Sequence, residues 1–222
     1  MSIEKIKPGF VLIDLDGTLI DSTEAILESF HHALGVHRYG AEVTDSMITS
    51  QIGHPLDVMF AGVGIPDKLV EAHVNSYKLY YREISCLKTV LLPNAREAIE
   101  EAAKIATLGI VTTKTGQYSR ELMEHFGVMD YFKVLIGREH VENPKPHPEP
   151  VLKALEMLQG AKASTWMIGD TRLDIEASKR AGIESVAVTS GYDNMEQLLT
   201  LTDIIEPDAL SAVRFIAEKG IK

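Results

Sequence analysis

Apolar positions along this chain follow two different periods. Short unbroken runs rich in Val, Leu and Ile occupy 10–13, 108–111, 134–136, 166–168 and 186–188, and each stops at a Gly, Thr or Asp. Runs of that length read as strands buried on both faces. Between them apolar residues return at helical spacing. Asn94 with Glu97 opens a helix carrying Ala98, Ile99, Ala102 and Ile105, and further helices are expected over 119–126, 148–158, 173–181, 195–201 and 209–217, with Ile204 and Ile205 as an edge strand. Repeated strand–helix units imply a parallel sheet with right-handed crossovers and helices on both faces.

The stretch after the first strand breaks this rhythm. Asp21-Ser22-Thr23-Glu24 has the form of a capping box, which makes Asp21 a helix cap, and Ile26, Leu27, Phe30, Ala33 and Leu34 follow on one helical face. A helical piece at 44–51, a break at Ile52-Gly53-His54-Pro55, and a helix over 55–61 come next. Pro66 then opens a long helix with Leu69, His73, Tyr77, Tyr80 and Ile84 on one face. No strand is expected from 22 to 88. The fold class is therefore α/β: a Rossmann-like parallel-sheet core built from 1–20 and 89–222, with an all-helical domain inserted at 21–88.

Strand ends are where this pattern places chemistry. The first strand runs into Asp14 and Asp16, whose carboxylates lie on one side of an extended chain at the edge where open α/β sheets bind ligands. Such close negative charges hold best with a cation between them or a proton on one. Thr112 ends the second strand, where its hydroxyl and the following N–H groups are able to hold an anion or merely cap a turn. Lys145 sits in Asn143-Pro144-Lys145-Pro146-His147-Pro148, a segment whose prolines stiffen it. Asp170 and Asp174 follow the strand at 166–168 and turn toward the same edge, completing an acidic cup, although Asp174 also suits a helix start. His54 is either a turn residue or a contact from the helical domain; His31 and His32 read as surface or internally satisfied histidines and His147 as a surface residue.

The string Asp14-x-Asp16-Gly17-Thr18-Leu19-x-Asp21-Ser22 resembles the first motif of the haloacid dehalogenase superfamily. Val111-Thr112-Thr113-Lys114, the lysine among prolines, and Gly169-Asp170-Thr171-Arg172-Leu173-Asp174 resemble its other three motifs, in the family's order. That resemblance implies a nucleophile and metal ligand at Asp14, a general acid/base and further ligand at Asp16, and substrate-binding Thr112, Thr113 and Lys145, with Lys145 also catalytic. It implies magnesium (Mg2+) held by Asp14, Asp16, Asp170 and Asp174. The helical domain becomes a cap closing over the site, with His54 on its substrate side. A donor set of oxygens without a His/Cys cluster favours magnesium over zinc.

Within the superfamily the chain is similar to phosphoglycolate phosphatases, through Gly191-Tyr192, and to bacterial inorganic pyrophosphatases, through Ile52-Gly53-His54-Pro55-Leu56 and the Thr113 variant. The expected activity is hydrolysis of a small phosphomonoester, 2-phosphoglycolate first, through an aspartyl phosphate. A pyrophosphatase and a sugar phosphomutase are the alternatives; a dehalogenase and a silent binding module fit less well.

Charge narrows the partners. Lys and Arg number 22 against 32 Asp and Glu, a formal net charge of −10, which disfavours nucleic acid and anionic membranes. An anionic substrate would then need local Lys, backbone N–H groups and metal. The single cysteine, Cys86, excludes an internal disulfide and fits a reducing compartment. No signal peptide or membrane-spanning run is expected, so the reading is a cytoplasmic monomer or homodimer acting on a small phosphorylated metabolite.

Overall fold

The computed structural model describes residues 9–40 and 42–219; the stretch 1–8, on which the expectation of no signal peptide rests, lies outside them. The chain opens with β1 (Phe10–Ile13) and a two-residue β2 (Ile20–Asp21), followed by α1 (Thr23–His37), α2 (Asp45–Thr49), α3 (Leu56–Gly62) and α4 (Asp67–Lys88). A short β3 (Val90–Leu91) leads into α5 (Ala95–Ile105), β4 (Thr107–Val111), α6 (Gly116–His125), β5 (Phe132–Ile136) and α7 (Glu149–Leu158). Then come β6 (Thr165–Gly169), α8 (Arg172–Ala181), β7 (Glu184–Val188), α9 (Met195–Leu199), β8 (Ile205–Glu206) and α10 (Ala209–Lys219).

The main sheet is parallel, in the order β5-β4-β1-β6-β7-β8. Ile13 of β1 lies in register with Ile110 of β4 and Ile168 of β6, so the carboxyl ends of these three strands stand side by side. After β1 the chain builds outward in both directions, and such a switch point opens a crevice at the carboxyl edge. Both faces of β1 are buried. Val11 and Ile13 join the cluster containing Ile99 of α5 and Ile216 of α10, while Leu12 joins Val151 of α7 and Ala177 of α8. A side chain at Gly109 would stand 2.7 Å from Val134 and 2.8 Å from Leu12, so glycine lets these layers close.

The four helices α1 to α4 have an apolar cluster of their own, in which Phe30 stacks on Phe60 at 4.1 Å and meets Tyr77 edge-on at 5.5 Å. The buried face of α4 differs from the expected one. His73, Tyr77, Tyr81 and Ser85 are buried, whereas Tyr80 and Ile84 are only partly so. Tyr81 turns toward α6, where its ring lies 5.9 Å from that of Tyr118; Tyr80 stacks on His32 and donates to Glu28 at 2.7 Å.

Local expectations also fail at both ends of the insertion. β2 and β3 form an antiparallel pair, Ile20 opposite Leu91, that carries the chain into and out of the helices; strands this short leave no periodic signal. The capping box at 21–24 does not form. The Ser22 hydroxyl donates to Asp16 instead, while Asp21 accepts from the Thr23 N–H at 2.9 Å. Asn94 precedes α5 in a left-handed conformation (φ 62°) and sends its side chain to Asp208 rather than to the helix. Among the described residues no helix is long and apolar enough to cross a membrane.

Candidate active site

The carboxyl edge of β1, β4 and β6 gathers three acids around one lysine. Asp14 continues β1, its N–H bonded to the Ile168 carbonyl at 3.0 Å, and its Oδ2 lies 3.0 Å from Lys145 Nζ. Lys145 is 3% exposed and also donates to Asp174 Oδ1 at 2.5 Å and to the Val111 carbonyl at 3.1 Å. Asp174, in the first turn of α8, takes the Thr171 N–H and hydroxyl on its Oδ2, at 3.1 and 2.7 Å. Asp170 directly follows β6 and is fully buried, with Thr18 donating to its Oδ1 at 2.8 Å and the Tyr192 N–H to its Oδ2 at 2.9 Å. One carboxylate oxygen from each of Asp14, Asp170 and Asp174 lies within 4.8 Å of the others.

Two glycines make room for Asp170. Gly17 has φ 80°, favouring glycine, and a Cβ there would fall 2.3 Å from Asp170 Oδ2. A Cβ on Gly191 would fall 1.9 Å from the same atom.

Were all three buried carboxylates ionised, the one ammonium would leave two negative charges uncompensated. Burial, with the neighbouring Asp174 and Asp16 adding to it, pushes Asp14 up to about 7, although Lys145 pulls the other way. Asp170 is raised well above the usual carboxylate range, by burial first and then by Asp174 and Asp14. Burial alone would lower Lys145, but Asp14 and Asp174 hold it above its ordinary value, so the lysine stays charged. Asp14 Oδ1 is buried with no hydrogen-bond partner. A hard divalent cation fits such a place: the donors are carboxylate oxygens, the charge deficit of the ionised trio is two, and one oxygen is already orphaned.

Asp16, expected in the same cup, is not part of the trio. Its Oδ1 accepts from Ser22 and lies 3.0 Å from Lys114 Nζ. Lys114 in turn sits 4.7 Å over the Tyr81 ring. Burial would lower Lys114, yet Asp16, then Tyr81 and Tyr77, hold it well above its usual value. Thr112 is buried at the end of β4, its Oγ1 accepting from the Lys114 N–H at 3.2 Å, which leaves its hydroxyl proton free. Thr113 donates to the Gly53 carbonyl at 2.8 Å and so ties the core to the loop before α3. His54, in that loop, lines a cavity of about 310 Å³ that extends from Asp16 toward α3 and α4. Partial burial lowers its pKa.

Several residues here escaped sequence reasoning. Lys114 stands in the sequence only as part of the second motif, without a role of its own, because its partner is 98 residues away. Thr18 and Ser22 read as turn and cap residues, whereas both hydroxyls hold site carboxylates. The Gly191-Tyr192 pair, noticed only as a likeness, supplies an N–H to Asp170 and a Tyr192 hydroxyl 3.0 Å from Thr23.

Comparison with known proteins agrees with this geometry. A profile of the haloacid dehalogenase-like hydrolases matches residues 11–188. The chain is 34% identical over 210 residues to a phosphoglycolate phosphatase of Neisseria gonorrhoeae, covering 90% of this chain and 87% of that protein. It is 33% identical over 201 residues to the pyrophosphatase PpaX of Anoxybacillus flavithermus, covering 89% of each. A haloacid dehalogenase-like family hydrolase from Streptococcus pneumoniae superposes with a TM-score of 0.84 at 25% identity, over 96% of this chain and 99% of that one. With the family's four motifs in order around the carboxyl edge of a parallel sheet, this chain is an enzyme of the haloacid dehalogenase-like hydrolase family.

Proposed function

We propose that the chain is a magnesium-dependent phosphatase that hydrolyses a small phosphomonoester through an aspartyl phosphate on Asp14. The observation that carries this reading is the orphaned Oδ1 of Asp14, in a buried cluster of three carboxyl groups with one lysine. Asp14, Asp170 and, in part, Asp174 would hold the ion. When bound, it neutralises phosphoryl oxygens that a site this acidic would otherwise repel. Asp174 is already committed to Lys145 and Thr171, so its main task is to orient the lysine.

The residues divide the chemistry as follows. Lys145, the free hydroxyl proton of Thr112 and the strand-end N–H groups bind the phosphoryl oxygens. Asp14 attacks phosphorus in line with the leaving oxygen. Asp16 receives Ser22 and Lys114 on Oδ1, which leaves Oδ2 to protonate the leaving oxygen and then to take a proton from the hydrolytic water. Residues 21–88 act as a cap over residues 1–20 and 89–222, excluding bulk water, with His54 and the Thr113–Gly53 hydrogen bond where the two meet.

Phosphate release from acetyl phosphate, 2-phosphoglycolate and pyrophosphate, with magnesium or with EDTA, tests the reading. Release should fall at least about a hundredfold in EDTA and return on adding excess magnesium. No magnesium-dependent release from any of the three would overturn it. Gly191→Ala supplies a separate check. Its Cβ must displace the Asp170 carboxylate, so calorimetric titration should give a magnesium affinity roughly 10–100-fold weaker than wild type.

A further inference from the structure

The cavity above Asp16 carries information about the leaving group that the motifs do not. Its walls are mostly apolar: Ile52, Leu56, Met59, Val74, Tyr77 and Tyr81 face it, and Tyr77 stacks on Tyr81 at 5.4 Å with an interplanar angle of 11°. Its volume, about 310 Å³, is at the lower end of the range in which pockets enclose most of a sizeable organic ligand. Glycolate or a second phosphate would leave much of that space to water against apolar walls.

Charge argues in the same direction. A carboxylate or phosphate leaving group buried here needs an uncommitted cation. Lys114, the cation nearest Asp16, is already paired with it at 3.0 Å and capped by the Tyr81 ring. Burial lowers the pKa of His54, which disfavours its cationic form. Lys78 and Arg138 line the cavity but are only partly buried, and Arg138 donates to the Val141 carbonyl at 2.9 Å. Asp57 and Glu139, on the same lining, match the formal charge of these two cations without pairing with them, and Glu139 accepts from the Gly116 N–H at 2.8 Å.

Resting on the phosphatase reading, we infer that the preferred substrate is the phosphate ester of an alcohol bearing an aromatic ring or an apolar body of similar size, seated between α3 and α4. The phosphoryl group lies against Asp14 and Lys145, the ester oxygen against Asp16, and the apolar body against Leu56, Met59 and the two tyrosines. His54, partly buried, is left to bond one polar substituent of that body.

The test compares esters whose leaving alcohols differ in bulk and charge: ethyl phosphate, 2-phenylethyl phosphate and 2-phosphoglycolate, with pyrophosphate and acetyl phosphate alongside. Acetyl phosphate asks little of the cavity and reports on the phosphoryl site alone. The expected kcat/KM for 2-phenylethyl phosphate exceeds that for ethyl phosphate by on the order of a hundredfold, from burial of the ring, and exceeds that for 2-phosphoglycolate by at least roughly tenfold. Leu56→Asp, at a partly exposed wall position, should reduce the ratio of phenylethyl to ethyl ester by about tenfold, and a ratio is insensitive to any loss of folded protein. Equal or better turnover of 2-phosphoglycolate or pyrophosphate overturns the inference, as does an unchanged ratio in Leu56→Asp. Release from acetyl phosphate alone overturns it while leaving the phosphatase reading intact. No magnesium-dependent release from any compound removes both.

Discussion

Asp14→Asn should abolish phosphate release, by at least about a thousandfold, while leaving the protein folded. Asparagine keeps the shape of the side chain but offers phosphorus no anionic oxygen, so covalent transfer ends at its first step. The same substitution should alter how stability responds to pH. Burial raises Asp14 to about 7 in the folded protein, above the usual carboxylate value near 3.8, so the folded state holds this proton more tightly than the unfolded chain. Its contribution is fully present below about pH 4 and is lost as pH climbs through about 7. Urea midpoints of magnesium-free protein should therefore fall over that window in wild type and fall less in Asp14→Asn, with the variant the more stable near pH 8. Equal pH profiles would mean that Asp14 is not the strained carboxylate; undiminished turnover would mean that it is not the nucleophile.

Lys145→Met should damage both rate and fold. The lysine is the only cation touching Asp14 and Asp174 among the described residues, and its removal strands buried carboxylates without compensation. Breaking a buried pair from one side costs on the order of 3–5 kcal/mol. The loss should be visible as a lower urea midpoint with unchanged denaturant slope. Magnesium should return part of that stability, because it supplies the missing positive charge, but little of the rate, because the phosphoryl oxygens still lack their lysine. A variant as stable as wild type in EDTA would show that the acids are balanced by some other group.

The parts of the fold legible beforehand are those where burial acts on a run of residues. β1, β4, β6 and β7 are buried on both faces, and each appears in the sequence as an unbroken apolar run. Once a parallel sheet is inferred, its carboxyl edge follows, and with it the convergence of Asp14 and Asp170; Lys145, in a loop nine residues beyond β5, is placed beside them only by the resemblance of its motif. What stayed hidden depends on partners distant in sequence. Nothing local to Lys114 announces Asp16, and nothing near Ser22 shows that its hydroxyl leaves the helix start. The shift of the buried face of α4 to Tyr81 and Ser85 is imposed by α6 and by Lys114, since helical periodicity alone allows either face. The expected four-acid cup became a trio for a related reason. The Asp16 carboxylate is held by Ser22 and Lys114, partners that strand alternation does not reveal.

The position of β1 also has a consequence for synthesis. Its hydrogen-bonding neighbours are β4 and β6, whose partner residues begin at Thr107 and Thr165. A ribosome adding roughly 5–20 residues per second finishes the helical insertion, which contributes all the buried members of its apolar cluster, seconds before either neighbour emerges. During that interval Val11, Leu12 and Ile13 are an unpaired apolar segment at the head of a chain whose insertion is able to collapse first. The strand that carries the nucleophile thus depends for its burial on the last half of the molecule, and a nascent chain stalled before Thr165 would present it to chaperones rather than to substrate.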